Sequence, residues 1–344
     1  MPLTSALLNE PSGSLEYPGN WRASMYIGGS PGQDDLDPGL TVVLNELMTS
    51  GDWVELYNPT ASSVDLTGWY LSDDPDDLSK WAIPAVTIPA QDYLSFDQAT
   101  GFGFGLSRAG EQLFLSYLPG TEADRVVDAV TFKAQEDDIS LGRYPDGAPY
   151  WFRLAPSRNA ANADPIADII IDEIMYHPPD ANDEYTELCN PTDAPVVLAG
   201  ADGAWRLAGG AEYVLPADVI LPAGGRLVLV GFDPLVETSR LSVFAAAYGS
   251  GPLTAGVTIL GPWQGNLAND GERVALEKPQ ATGNIDDPIA WVVVDEVIYS
   301  DVSPWPNGPD GQGDVLQRLI TDPTLSGNDP ANWQPAAPSP GLAP

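Results

Sequence analysis

One phrase occurs twice in this chain, and the repetition restricts it to two copies of one fold. Residues 42–72 read VVLNELMTSGDWVELYNPTASSVDLTGWYLS, and residues 169–207 read IIIDEIMYHPPDANDEYTELCNPTDAPVVLAGADGAWRL. The shared frame is an apolar run, Glu-[Leu/Ile]-Met, a break, Glu-Leu-x-Asn-Pro-Thr, and then Val, Leu, Gly and Trp. Both copies continue in the same order. The stretch 105–111 (GLSRAGE) answers 265–272 (GNLANDGE), and 127–132 (VDAVTF) answers 294–299 (VDEVIY). Such self-similarity marks a repeated structural unit, so any function has to be carried by a duplicated scaffold.

Between the repeats lie short apolar runs of alternating pattern. Val43, Val54, Leu56, Leu66, Trp69 and Leu71 have counterparts in Ile170, Tyr185, Leu188, Val197, Trp205 and Leu207, and these are the expected inward positions. Gly and Pro, 34 each, fall between the runs rather than in blocks. That suits short strands joined by tight turns and excludes long helices. The spacing predicts an all-β chain of two tandem β-sandwiches, over 40–163 and 164–344. A short helix is expected in the second, within 233–249, where Leu241, Phe244, Ala245 and Tyr248 fall at helical spacing before Gly249. Its expected place is across one end of the sandwich. Residues 1–39 look different. Asn20-Trp21 followed by Gly29-Ser30-Pro31-Gly32 echoes Asn332-Trp333 followed by Pro338-Ser339-Pro340-Gly341, so this segment reads as the end of a preceding repeat. Trp151 followed by Ala155-Pro156-Ser157 closes the first repeat in a related way.

Charge removes whole classes of function. With 49 acidic and 14 basic residues the formal charge is −35. No basic stripe is present to neutralise phosphates, and anionic membranes repel such a chain. No apolar run is long enough to span a bilayer, and no basic and apolar leader opens the sequence. Lysine is confined to Lys80, Lys133 and Lys278, which points toward an extracellular or saline setting. The one cysteine, Cys189, replaces Tyr57 of the first copy and reads as a buried apolar side chain.

The phrases Leu44-Asn45-Glu46-Leu47-Met48 and Ile171-Asp172-Glu173-Ile174-Met175-Tyr176-His177-Pro178 resemble the lamin tail domain family in its bacterial form. So do Trp53-Val54-Glu55-Leu56-Tyr57-Asn58-Pro59, Tyr185-Thr186-Glu187-Leu188-Cys189-Asn190-Pro191, and the loops 261–265, 304–311 and 327–333. The resemblance covers about 300 residues. It implies immunoglobulin-like sandwiches of the kind found in exported multi-domain surface proteins. It brings no shared catalytic residues, and fold alone does not fix function.

The residues themselves offer little chemistry. His177 is the single histidine. There is no Gly-x-Ser-x-Gly elbow, no phosphate loop and no dinucleotide fingerprint. A histidine-rich zinc site is not available. Three candidate features remain. Oxygen-rich turns at Asp73, Asp74, Asp76 and Asp77, and at Asp310 and Asp314, would suit calcium, the expected ion if any is bound. Trp263 and Trp305, in Pro/Gly-rich loops, would suit a sugar-stacking platform. Glu55 and Glu187 occupy the same place in both copies and are expected to accept backbone N–H groups of a turn or loop. These features predict a non-catalytic extracellular or cell-surface structural or adhesive protein. Its expected partners are proteins or further copies of itself, met through sheet edges and end loops. The alternative is an accessory module of a secreted hydrolase that binds polysaccharide or protein.

Overall fold

The computed structural model describes residues 6–8, 21–24, 27, 29, 42–166, 168–249, 251–282 and 288–342. The chain is nearly all β and divides into two compact units, built mainly on residues 42–166 and on 168–281 with 292–342. Of the N-terminal segment, Ala6–Leu8 and Trp21–Ala23 pair antiparallel. Asn20 and the Ser30-Pro31-Gly32 phrase lie outside the described residues.

The first unit is a sandwich of two sheets. One has the order Arg125–Lys133, Gly110–Tyr117, Trp69–Ser72, Trp81–Ala82. The other runs Trp151–Leu154, Ser140–Arg143, Val43–Met48, Trp53–Tyr57, Tyr93–Asp97. Between them lie Leu44, Val54, Leu56, Leu66, Trp69, Leu71, Leu113, Leu115 and Phe132, all buried. The second unit repeats the plan with longer sheets. Its six-stranded sheet runs Ile259–Leu260, Arg226–Val230, Tyr185–Cys189, Ile170–Met175, Val315–Arg318, Trp333–Ala336. Facing it is a five-stranded sheet of Gln264–Gly265, Ala211–Val214, Arg206–Gly209, Gly271–Ala281 and Ile289–Ser300.

A β-bulge in the opening strand of each unit displaces part of the expected inward pattern. The register shifts between Leu44 and Glu46 in the first unit and between Ile171 and Glu173 in the second. One extra residue moves every later side chain to the other face. With the extra residue between them, Leu44 and Leu47, and likewise Ile171 and Ile174, face the core together, so Leu44 and Ile171 take the places expected of Val43 and Ile170. Tyr185 points to the outer face of its sheet. Val197 is exposed, and Leu198 takes the inward place.

The helix forms at Thr238–Ala247, within the expected segment but on a different surface. It covers the outer face of the six-stranded sheet rather than one end of the sandwich. Phe244 is fully buried against Tyr185, Phe232 and Tyr248, within a second apolar cluster that includes Met175, Val228, Val230 and Val315. Sequence periodicity identifies the helix. The displaced face explains its position, because the outer side of this sheet is itself apolar and has to be covered.

Trp69 has 2% of its surface exposed and stacks obliquely on Tyr117 with ring centroids 5.7 Å apart. Trp69→Ala leaves a large void between the sheets and is expected to destabilise the chain by about 3–5 kcal/mol, read as a lower thermal midpoint. An unchanged midpoint would place this ring outside the core.

Candidate functional site

The charged residues of each repeat converge on the bulge. In the first unit Glu46 and Glu55 face each other across neighbouring strands. Glu46 accepts hydrogen bonds from the Ser140 hydroxyl at 2.5 Å, the Ser157 N–H at 3.1 Å and the Ser157 hydroxyl at 3.0 Å. Glu55 accepts from the Asn159 N–H at 2.5 Å and from the Asn45 amide at 3.4 Å. In the second unit Glu173 and Glu187 face each other in the same way. Glu173 accepts from the Ser339 N–H at 2.9 Å and hydroxyl at 2.7 Å, and also from the Tyr185 hydroxyl. Glu187 accepts from the Gly341 N–H at 2.5 Å. Each pair thus holds the segment that follows the last strand, through a Ser and the residue two places on. That second residue has φ of 60° at Asn159 and 80° at Gly341, in the left-handed region that Asn and Gly tolerate best. The role expected of Glu55 and Glu187 is the one they fill. Glu46 and Glu173 do the same work, and sequence reasoning passed over them although they stand in the repeated Glu-[Leu/Ile]-Met phrase.

A second duplicated constellation joins the two sheets. Arg143 donates from Nε to the Leu44 carbonyl at 2.7 Å and from Nη2 to both Asp128 oxygens at 3.1 Å. Asp128 in turn accepts from the Leu44 N–H at 2.8 Å. Arg318 donates to the Ile171 carbonyl at 2.6 Å and to Asp295 at 2.6 Å, and Asp295 accepts from the Ile171 N–H at 2.7 Å. The guanidinium lies over Trp151 at 4.7 Å in one unit and over Trp333 at 5.1 Å in the other. Each Arg–Asp pair supplies the donor and acceptor that a β-ladder would give at this point of the bulged strand. Asp128 and Asp295 were visible as a repeated acid inside apolar strands. The arginines gave no comparable signal.

The remaining repeated polar residues are also engaged in loops. The Asn58 amide donates to the Ser62, Ile88 and Pro89 carbonyls, and Asn190 does the same to Ala194, Leu221 and Pro222. Thr60 and Thr192 donate back to the Asn oxygen at 2.7 Å. This is the physical content of Asn-Pro-Thr: one side chain closes two loops. Glu111 and Glu272 accept from the N–H groups of Ser107 and Ala268.

The two tryptophans are placed differently from the sequence expectation, whereas the acidic residues lie in turns and loops as expected. Trp263 and Trp305 have 6% and 3% of their surface exposed and belong to the core of the second unit, so neither ring face is available to a sugar. Trp305 packs against Trp333 instead. The acidic loops are bound up in turns. Asp73 pairs with Lys80 at 2.5 Å, Asp74 accepts from the Asp76 N–H, and Asp77 caps Ser79. Asp310 lies 2.7 Å from Nδ1 of His177, while Asp314 is half-buried. Among the described residues no three His, Cys, Asp or Glu side chains stand close enough to share a metal ion. Cys189 is buried, and burial pushes its thiol up to about 12, which suits a packing role.

Burial raises Glu46, Glu55 and Glu187 among the residues that hold the exit segments. Glu46 is pushed above the ordinary carboxylate range. Glu55 is pushed up to about 7 by burial, with smaller contributions from Glu46 and Asp146. Glu187 is pushed up to about 8 by burial, although Arg226 lies 2.8 Å away. A raised carboxyl binds its proton more tightly in the folded state than in the unfolded one. The stability it contributes is complete below about pH 4.5 and is lost as pH rises through about 7 and 8. The thermal midpoint is expected to fall between about pH 5 and 8.5, and Glu55→Gln combined with Glu187→Gln should flatten that slope. A midpoint that rises with pH across this range would contradict the assignment.

The comparisons agree with the duplicated geometry. The profile of the family described as Lamin Tail Domain matches residues 37–141 and 162–295. No curated protein and no solved structure matches the chain. Two matches, one over each bulged and Glu-paired sandwich, cover well over half of the sequence, and the chain belongs to the lamin tail domain family.

Proposed function

We propose that this chain is a non-catalytic structural or adhesive protein that acts outside the cell as a spacer in a larger assembly. The observation that carries this reading is the use made of the repeated charged residues. Glu46, Glu55, Asp128 and Arg143, with their counterparts Glu173, Glu187, Asp295 and Arg318, are taken up in holding the sandwiches together. A catalytic site needs an activated group beside a base and open to substrate. The repeated residues instead support rigid shape. A formal charge of −35 favours solubility and keeps copies apart at low salt, while contacts through sheet edges and end loops operate once that repulsion is screened.

Static light scattering on the full chain, over a range of concentrations and of sodium chloride, tests the reading. Association that strengthens with concentration and with salt is expected. A monodisperse monomer under all conditions would contradict a role in assembly.

A further inference from the structure

The two units treat the same sheet edge differently. Register equates Ser95 with Val228, because they lie opposite Glu55 and Glu187. In the second unit the short strand Ile259–Leu260 adds in parallel to the outer side of Arg226–Val230. There the Val228 N–H donates to the Thr258 carbonyl at 3.0 Å. The first unit lacks the inserted segment, and among the described residues no strand pairs with the outer side of Tyr93–Asp97. Its Ser95 N–H donates instead to the side-chain oxygen of Asn159, at the same 3.0 Å. Arg158 completes the cover, donating to the Ser95 hydroxyl at 2.7 Å and to Asp97 at 3.0 Å. A side-chain amide thus stands where a strand carbonyl stands in the duplicate.

The apolar surface shows the same asymmetry. Leu227 and Leu229 are fully buried in the core between the sheets, in the cluster that also takes in Leu260 of the added strand, whereas their counterparts Leu94 and Phe96 are only half-buried. An uncovered edge with partly exposed inward residues is a template for strand addition. The segment 155–162 is mostly exposed, and only the side chains of Asn159 and Arg158 have to leave the edge for a strand to add, while the Ser157 and Asn159 N–H groups stay on Glu46 and Glu55.

We infer that the outer edge of Tyr93–Asp97 is a strand-accepting surface, capped in the free protein by Asn159 and Arg158. Its occupant is an extended segment of a partner protein with two adjacent aliphatic residues, running parallel as Thr258-Ile259-Leu260 does in the second unit. The partner's carbonyl replaces the Asn159 oxygen on the Ser95 N–H. Of its two aliphatic side chains, the one in the place of Leu260 faces the core side and covers Leu94 and Phe96, and the one in the place of Ile259 lies on the outer face of the sheet. This deepens the scaffold reading by naming one of the edges through which contacts are made.

The probe is a synthetic peptide with the sequence of residues 254–262, titrated into the full chain while backbone amide resonances are followed. Asn159→Gly removes the cap and keeps the left-handed backbone, as Gly341 does at the equivalent place. Saturable shifts over residues 93–97 are expected, with about fivefold tighter binding to N159G than to wild type. A fully N-methylated peptide, which cannot donate to the edge, is expected not to bind. Equal binding of the two peptides, or shifts confined to other residues, would overturn the inference. Self-association of N159G without peptide would assign the edge to a second copy and would also overturn it. Peptide failure together with salt-strengthened association of the wild-type chain would reject this edge alone and leave the scaffold reading standing.

Discussion

The bulge in the opening strand of each repeat creates a local deficit that the rest of the sandwich is arranged to fill. Next to the bulge, pairing with the strand on the other side stops at Glu46 and Glu173, and the backbone groups of Leu44 and Ile171 have no ladder partner there. A buried Arg and an Asp from the facing sheet replace them, so one interaction repairs the strand and ties the two sheets together. Removing both charges from water is unfavourable, and the arrangement holds because nearly every polar atom finds a partner and an indole covers the guanidinium. The same bulge turns Glu46 and Glu173 to the outer face beside Glu55 and Glu187. There each pair fixes the segment leaving the sandwich.

The two units share this polar framework and differ in what covers it. The second unit has a helix over its outer sheet face and a short parallel strand on its edge, and it buries Pro340 within its exit segment. The first unit covers the corresponding region with the polar residues of 155–162. Insertion has therefore made one copy more enclosed, while the other keeps an edge that, among the described residues, is covered by side chains and by no strand.

Much of this was legible in the sequence. Alternation and turn spacing gave the sandwiches, and the repeat gave their number. Duplication of Glu55 and Glu187 before Asn-Pro-Thr pointed to carboxylates holding backbone. The bulge was hidden, because an extra residue leaves the local apolar pattern intact while reversing its phase. That is why Val43 and Ile170 were expected where Leu44 and Ile171 are found. Trp263 and Trp305 misled for a related reason: Pro and Gly mark a turn but do not tell which way the ring beside it faces. Arg143 and Arg318 escaped notice because an arginine near a strand end ordinarily reads as solvated. Their partners lie on the facing sheet, 15 and 23 residues away along the chain.

A double-mutant cycle on Arg318 and Asp295 addresses the central claim most directly. Arg318→Met and Asp295→Asn are made singly and together, and unfolding free energies are measured at neutral pH. Because the pair bridges the sheets and completes the bulged strand, a coupling energy of about 2 kcal/mol or more is predicted. Coupling below about 0.5 kcal/mol would mean that the two residues contribute independently, and the bulge would then have to be held by something else.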